Sequence, residues 1–207
     1  KTSHLKLLLS FSGGFLLTII FTHILPESYQ DHAAQTGYFI LIGFLLQLVL
    51  EYFSKGAEHG HTHIHDLHLS RSFPILFFVS LSLHAIMESM PLNHGGHDHT
   101  EHLFWGVFLH KIPVAIALAT IFEAAGYSKV KTWMFLILFG LMAPIGLFFG
   151  EMIHDSAGML TNKLLAVAIG MFLHISTTII FESSEGHRLN LFKLLAILVG
   201  FAVGALL

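Results

Sequence analysis

Seven stretches of this chain carry almost no charge, and each is long enough to cross a lipid bilayer as a helix. They cover residues 7–25, 38–54, 73–91, 103–125, 132–153, 160–182 and 191–207. A membrane-spanning helix needs about 17–25 predominantly apolar residues. Charged residues make up 11% of the chain, whereas soluble domains contain about 25%. The chain lacks the charge that a water-facing globular surface requires, so it is predicted to be an integral membrane protein.

The seven spans are predicted to be α-helices rather than barrel strands. Each is a continuous apolar run, whereas the strands of a membrane barrel are about 10 residues long and alternate in polarity. A helix also satisfies its backbone hydrogen bonds within one segment, as hydrocarbon requires. Glycines recur within the spans, and close helix packing in lipid favours them. We therefore predict an all-α polytopic bundle of seven transmembrane helices that forms a single transmembrane domain over residues 1–207.

The lysines and arginines of the connecting segments indicate the orientation. If the spans alternate, Lys163 lies on one side, and the other side holds Lys1, Lys6, Lys55, Arg71, Lys129, Lys131, Arg188 and Lys193. Cytoplasmic loops carry the excess of Lys and Arg. We expect the N-terminus of this chain in the cytoplasm, its C-terminus outside, and a location in the plasma membrane. The net charge of −3 provides no basic surface for nucleic acid.

Ionisable side chains inside the spans mark candidate functional sites, because placing one at membrane depth costs about 2.5–3.5 kcal/mol. His84 and Glu88 lie four residues apart in one span, so they share a face of its helix. Imidazole and carboxylate are both ligands for Zn²⁺ and other first-row divalent ions. The alternative is a His–Glu hydrogen bond that only stabilises the bundle.

The next span contains a second candidate, the sequence His110-Lys111-Ile112-Pro113. Pro113 has no N–H, and its ring clashes with the carbonyl of Leu109. It therefore predicts a kink and a free backbone acceptor beside His110, and interrupted helices at mid-membrane depth are where transporters place ion sites. The alternative is an ordinary proline kink beside a hydrogen-bonded histidine.

These motifs, in their order, carry a resemblance to a known family. A His-x-x-x-Glu-Ser span followed by a His-x-x-Pro span resembles the fourth and fifth helices of the ZIP (Zrt/Irt-like) divalent-metal transporters. Motifs similar to the family's second and sixth helices are Ser12-Gly13-Gly14-Phe15-Leu16-Leu17, His23-Ile24-Leu25-Pro26-Glu27 and Ala143-Pro144-Ile145-Gly146 with Gly150. The family has eight helices with both ends outside, so seven helices that start inside fit a chain lacking the first helix.

The resemblance implies inward transport of a divalent metal ion by a protein that commonly forms a homodimer, with a bundle containing the fourth and fifth helices moving against the rest. Ala85, Lys111 and Val114 stand where the family has an asparagine and two carboxylates that help build a two-metal site. Lys111 either substitutes for the charge of the second ion, which gives a mononuclear site, or blocks metal binding. The ligands left for one ion are His84, Glu88 and His110.

Two histidine-rich segments flank the motif helices, a cytoplasmic loop at 55–72 and an external loop at 92–102. Tracts of this composition bind divalent ions, and carboxylates at a mouth attract cations. The candidate metal-capturing residues are His59, His61, His63, His65, His68, His94, His97 and His99. A solvated linker with incidental affinity is the alternative for the cytoplasmic loop.

Three further polar residues lie inside the spans. Gln47 and Glu51 sit toward the inner end of the second span, where they either line an exit route or make a peripheral helix contact. His174 lies in the middle of the sixth span and is expected to pack between helices rather than bind the ion.

The function expected from these features is transport of Zn²⁺, with Fe²⁺ or Mn²⁺ as alternatives, and no enzymatic activity. The metal is the transported substrate, and acid should weaken uptake because ligands must be deprotonated to bind it. One alternative is a zinc-dependent intramembrane hydrolase resembling the alkaline ceramidases and progestin–adipoQ receptors. Ser80 and His84 match one of their motifs by spacing, but neither His154 nor His174 supplies their late His-x-x-x-His pair. Another alternative is a metal sensor that does not transport.

Overall fold

The computed structural model describes residues 2–29, 33–54, 56, 73–93, 97–153, 159–182, 184–185 and 188–207. Most of them belong to helices, which are α1 (Thr2–Ile19), α2 (Ala33–Ser54), α3 (Phe73–Ser89), α4 (His97–Ala124), α5 (Lys129–Met152), α6 (Met159–Glu182) and α7 (Leu191–Leu206). α1 continues through a π-helical segment, Ile20–Ile24, into a short helical turn, Leu25–Ser28. A two-stranded antiparallel hairpin of β1 (Ser184–Glu185) and β2 (Arg188–Leu189) lies between α6 and α7.

Six helical stretches are long and apolar enough to cross a membrane. The remaining apolar helix, α7, has 16 residues, which amount to about 24 Å, somewhat less than the ~30 Å of hydrocarbon in a bilayer. The prediction of an all-α polytopic membrane bundle is confirmed. The segment at 92–102 contains less loop than expected, because Met90–Asn93 forms a 3₁₀ helix and α4 already begins at His97.

Three consecutive helices, α3, α4 and α5, pack around one apolar cluster. The buried side chains at its centre are Phe77, Leu81, Leu118, Phe122 and Phe139. Burial of such side chains excludes lipid and water from the space between the helices, so their polar neighbours meet in a closed interior. We refer to these helices as the α3–α5 bundle.

The other helices, α1, α2, α6 and α7, form a four-helix bundle. α6 is its central helix, because 61% of the most apolar part of α6 is buried, compared with 22% for α2. Phe15 of α1 and Phe172 of α6 belong to a cluster that also takes in Val107 from α4. α4 therefore contacts both bundles, and it brings its buried face against α1.

Inside the four-helix bundle, α2 and α6 cross so closely that glycine is required on both sides. A Cβ added at Gly43 would overlap the carbonyl oxygen of Val167, and a Cβ added at Gly170 would overlap that of Ile40. Small residues allow this approach, and in lipid the resulting contact between backbones drives helix association. The two helices are thus held at a distance that the main chain itself sets.

The α3–α5 bundle has a contact of the same kind. A Cβ added at Gly146 of α5 would overlap the carbonyl oxygen of Ile86 in α3. The contact between the bundles is looser at Gly106 of α4, where an added Cβ would lie 3.3 Å from the Leu16 side chain of α1. These close crossings inside the bundles are made by backbone, whereas at Gly106 the bundles meet through a flexible side chain.

Candidate metal site

Glu88 is a buried carboxylate whose two oxygens face different partners. Oε1 accepts a hydrogen bond from Nζ of Lys111, and Oε2 lies 3.0 Å from Nε2 of His84. His84 and Glu88 stand one turn apart on α3, and their side chains are 2% and 1% exposed. The helix spacing places the imidazole and the carboxylate side by side, and α4 adds the ammonium group from the opposite side.

A side chain from α2 fixes the orientation of the His84 ring. Its Nδ1 lies 2.9 Å from Oε1 of Gln47. Because an amide oxygen only accepts hydrogen bonds, this contact requires a proton on Nδ1, and in the neutral tautomer that carries it Nε2 has a lone pair. That lone pair faces Oε2 of Glu88, which is also an acceptor, and neither atom hydrogen bonds to any group in the described part of the chain.

Two facing acceptors of this kind fit a shared cation. Ligand atoms on a tetrahedral zinc ion, each about 2.0–2.1 Å from it, lie about 3.3 Å from each other. The 3.0 Å between His84 Nε2 and Glu88 Oε2 is close to that separation. The pair can therefore supply two ligands to one divalent ion with a small outward movement of either side chain.

Lys111 supplies a positive charge to the same cluster. Its side chain is 19% exposed, and Nζ lies 5.7 Å from the ring centre of Phe139 on α5. A buried carboxylate without a cationic partner is strongly destabilising, so Lys111 stabilises the charged form of Glu88. Before any metal ion arrives, the Glu88–Lys111 pair is electrically neutral.

His110 stands beside this cluster but turns toward α1. Its Nδ1 lies 3.2 Å from Oγ of Ser12, and its ring centre is 6.0 Å from that of His84. Two imidazoles on one tetrahedral zinc ion have ring centres about 5 Å apart, given Zn–N distances of ~2.0–2.1 Å. His110 is thus about 1 Å too far from His84 to share an ion with it, by the same estimate. In the ranges that the structure describes, no three His, Cys, Asp or Glu side chains form a group that could hold a metal.

Most of the histidines predicted to capture metal fall outside the described residues, namely His59, His61, His63, His65, His68 and His94. His97 and His99 lie in the first turn of α4, and their side chains are also outside what the structure describes. The nearest described histidine of that segment is His102. Its ring stacks on His23 of the π-helical segment, with centroids 4.1 Å apart and an angle of 23° between the planes. No motif or spacing in the sequence pairs these two rings.

A second carboxylate–imidazole pair lies between α2 and α6. Oε2 of Glu51 is 3.2 Å from Nε2 of His174, and the two side chains are 18% and 5% exposed. The ring of Phe44 packs edge-on against His174, with centroids 4.8 Å apart. The sequence predicted a packing role for His174. The signal that could have found the pair is the four-residue spacing of Gln47 and Glu51, which places both on one face of α2.

Comparison with known proteins finds similarity to zinc transporters in each case. The family described as ZIP zinc transporter matches residues 54–207. Zinc transporter ZIP1 of Danio rerio is 25% identical over 175 residues, which cover 74% of this chain and 57% of that protein. Zinc transporter ZIP1 of Takifugu rubripes is 25% identical over 260 residues, covering 98% and 84%. Zinc transporter ZIP1 of Plasmodium falciparum is 24% identical over 258 residues, covering 87% and 72%.

The chain thus spans little more than half of the Danio rerio protein and most of the other two. The family is one of transporters rather than enzymes, which argues against the hydrolase alternative. The resemblance first indicated by the motifs of α1, α3, α4 and α5 is confirmed. Since the match extends over well more than half of its length, this chain belongs to the ZIP zinc transporter family.

Proposed function

We propose that this protein transports a divalent transition-metal ion, zinc in the first place, across the membrane into the cytoplasm, with His84, Glu88 and His110 as its ligands. The observation that carries the proposal is the pair of buried acceptor atoms, His84 Nε2 and Glu88 Oε2, that face each other 3.0 Å apart. Nitrogen and oxygen ligands of this kind suit zinc, and they also bind Fe²⁺ and Mn²⁺, which are the alternative substrates.

The charge balance of the site favours one ion that can leave again. Glu88 and Lys111 cancel each other, so an arriving dication meets a neutral site rather than an acidic one. Transport requires binding that is strong enough to admit the ion and weak enough to release it. Lys111 takes the place of a second metal ion in this proposal, and the site is mononuclear.

His110 completes the ligand set after a small movement. An approach of about 1 Å brings its ring to the distance at which two imidazoles share a zinc ion. Ser12 of α1 holds the Nδ1 edge of His110 in the described arrangement. The movement that brings His110 toward His84 therefore replaces its contact with α1 by a bond to the ion. Water fills the remaining position in the coordination shell of the ion.

The route of the ion follows the buried histidines and carboxylates. Imidazoles and carboxylates at 92–102 gather cations at the outer mouth, close to the stacked rings of His23 and His102. The ion then sheds water into the His84 site and leaves past Glu51 toward the histidine-rich segment at 55–72. We include in the proposal a plasma-membrane location, a cytoplasmic N-terminus of this chain, an external C-terminus and a homodimer.

The test is zinc uptake into liposomes that contain the purified protein and a trapped zinc-sensitive dye. Loss of a direct ligand should reduce uptake by at least the 10–100-fold seen when residues supporting metal ligands are lost, so His84→Ala should fall by about 100-fold. His4→Ala is the matched control, because His4 is an exposed histidine of α1.

Equal uptake by His84→Ala and His4→Ala would rule out His84 as a ligand on the route. Hydrolysis of a lipid amide by wild-type protein without zinc uptake would instead support an enzyme. Zinc binding without either activity would indicate a sensor.

A further inference from the structure

We infer that a cavity between the first turns of α2 and α6 binds the phosphate group of a phospholipid, with Lys163 as its charged partner. None of the residues of the His84 site lines this cavity. In the orientation proposed for this chain, the cavity faces the outer leaflet. The inference depends neither on transport nor on the identity of the ion.

The cavity combines polar and apolar lining residues. Its volume is about 100 Å³, and a water molecule needs only about 10–15 Å³ of such space, so a group of several heavy atoms fits. Phe39 and Ala166 are apolar residues of the lining. The polar residues that line it are Gln35, Thr36, Asn162 and Lys163. Such a mixture suits a compact polar group that is joined to an apolar chain.

The charge of the lining favours an anion. Lys163 supplies an ammonium group, and no acidic residue of the described ranges lines the cavity. Nζ of Lys163 lies 5.5 Å from the ring centre of Phe39, and within the described part of the chain it pairs with no carboxylate. Lys111, by contrast, is neutralised by Glu88. The charge of Lys163 is therefore available to a phosphate group, which lysine binds well.

Neutral groups beside Lys163 can complete the recognition of the phosphate oxygens. Gln35 and Asn162 are exposed, and their amide groups can donate hydrogen bonds. Thr36 instead donates its hydroxyl proton to the carbonyl oxygen of Ser28 at 3.0 Å, so it fixes the start of α2. Both helices begin at this end of the bundle, and the partial positive charge of their N-termini adds to the attraction.

The position of the cavity favours a lipid over a free phosphate ion. Lys163 lies about one turn after the start of α6, near the boundary between headgroups and hydrocarbon. Ile42 and Val49 follow Gln35 at intervals of seven residues, so they share its face of α2. Each of these two side chains is 51% exposed. An acyl chain can lie along this apolar face while its headgroup enters the cavity.

The close crossing of α2 and α6 forms the inner limit of the cavity. The contact of Gly43 with the carbonyl oxygen of Val167 comes one turn after Phe39. Because backbone meets backbone there, the two helices cannot separate to admit the lipid more deeply. The crossing also holds the lining residues of both helices at a fixed separation, which preorganises them for a ligand.

The first experiment measures lipid binding to the purified full chain by native mass spectrometry, with dioleoylphosphatidylglycerol as the probe. Lys163→Met should weaken binding of the first lipid about tenfold, because it removes a charge-assisted hydrogen bond. Lys129→Met is the matched control, since Lys129 is an exposed lysine at the opposite end of the bundle, and it should bind as wild type does. Equal affinities of the two variants would overturn the inference.

Two further variants test what the cavity recognises. Lys163→Arg keeps the positive charge and should bind the lipid within about threefold of wild type. A loss as large as that of Lys163→Met would contradict recognition by charge. Asn162→Leu removes amide donors at an exposed position and should weaken binding about threefold. Unchanged binding by this variant would place the phosphate outside the cavity.

Probes that lack one part of the lipid separate the possible ligands. Dioleoylglycerol has the same chains without phosphate, and wild type should bind it at least about tenfold more weakly. Equal binding of both lipids would show that the chains alone are recognised, against the inference. Inorganic phosphate at the same concentration as the phospholipid should not displace it. Displacement would show that the cavity takes a free anion, and the assignment to a lipid would be wrong.

Discussion

The closest helix crossings inside each bundle are made by backbone at glycines, whereas the contacts between the bundles are made by side chains. Inside, α2 meets α6 at Gly43 and Gly170, where main chain lies against main chain. Between the bundles, the contacts of α1 and α2 with α3 and α4 are made by side chains. They include the contacts of Ser12 with His110 and of Gln47 with His84. The Ser80 hydroxyl also donates a hydrogen bond of 2.7 Å to the carbonyl oxygen of Leu50.

Backbone contacts and side-chain contacts differ in how far they allow the helices to move. A backbone contact at a glycine has no side-chain rotamer that could change. Interiors packed at this density transmit a displacement to neighbouring elements instead of absorbing it. A side-chain hydrogen bond can break and form again after a shift of about one helical turn or less. The candidate ligands His84 and His110 both lie at the side-chain contacts, which fits the movement of one bundle against the other that the family resemblance implies.

The largest effect should come from breaking a backbone contact. Gly170→Ala places a methyl group against the carbonyl of Ile40, and overpacking of this kind costs about 3 kcal/mol or more where backbone is the obstacle. We expect the Tm in detergent to fall by roughly 6–12 °C, given about 2–4 °C per kcal/mol for a chain of this size. Gly140→Ala on α5 is the control, since an added Cβ there meets nothing within 4 Å. Equal Tm values for the two variants would remove the distinction between the two kinds of contact.

A smaller effect is expected when the charge inside the α3–α5 bundle is removed. Lys111→Met keeps the length of the side chain but leaves Glu88 without its cation. The cost should be about 2 kcal/mol, below the ~3–5 kcal/mol of a fully buried pair, because the lysine side chain is partly exposed. Zinc then meets an unbalanced carboxylate, so the increase in Tm on adding zinc should be larger than in wild type. A smaller zinc-induced increase would mean that Lys111 helps to hold the ion.

The next prediction weakens a contact between the bundles. Gln47→Leu removes the acceptor that orients His84, and loss of such a support costs about 10–100-fold in metal affinity. Zinc binding by the His84 site, measured by titration, should fall by that factor, and the buried Nδ1 left without its partner should destabilise the protein by about 1–3 kcal/mol. Gln35→Leu, at the exposed start of α2, makes the same change away from the site and should bind zinc as wild type does.

The smallest effect should appear where the bundles meet through a flexible side chain. Gly106→Ala brings a methyl group to 3.3 Å from Cδ2 of Leu16, and that leucine can move by a few tenths of an ångström. We expect a change in stability within about 1 kcal/mol, in the range of a single methyl adjustment, and zinc uptake within twofold of wild type. A Tm as low as that of Gly170→Ala would show that this contact is as rigid as those inside the bundles.

Helical spacing alone predicted the local part of the candidate site. His84 and Glu88 are neighbours because residues four apart on a helix share one of its faces. The number and type of helices followed from apolar runs, since hydrocarbon permits few other structures. These inferences need only one element, or one element and the lipid around it.

The contacts between side chains of different helices could not be predicted in this way. Ser12 reaches His110 across 98 residues of sequence, and Gln47 reaches His84 across 37. Which helix faces which depends on where glycines allow close crossings, and a glycine does not specify its partner. The Glu51–His174 pair escaped for the same reason, because each residue taken singly resembles an ordinary helix contact.

The π-helical turn at Ile20–Ile24 changes the direction in which side chains point around the axis of the first helix. Up to Ile19 the helix presents Gly14 to the backbone of α7, and the turn itself presents His23 to His102. Beyond the turn, the carbonyl oxygen of Ser28 accepts a hydrogen bond of 3.0 Å from Thr36. A π-helical turn holds one residue more than an α-helical turn, and one residue corresponds to about 100° of rotation. One additional residue in the turn thus allows a continuous helix to contact α7 on one side and α4 on another, without an intervening loop.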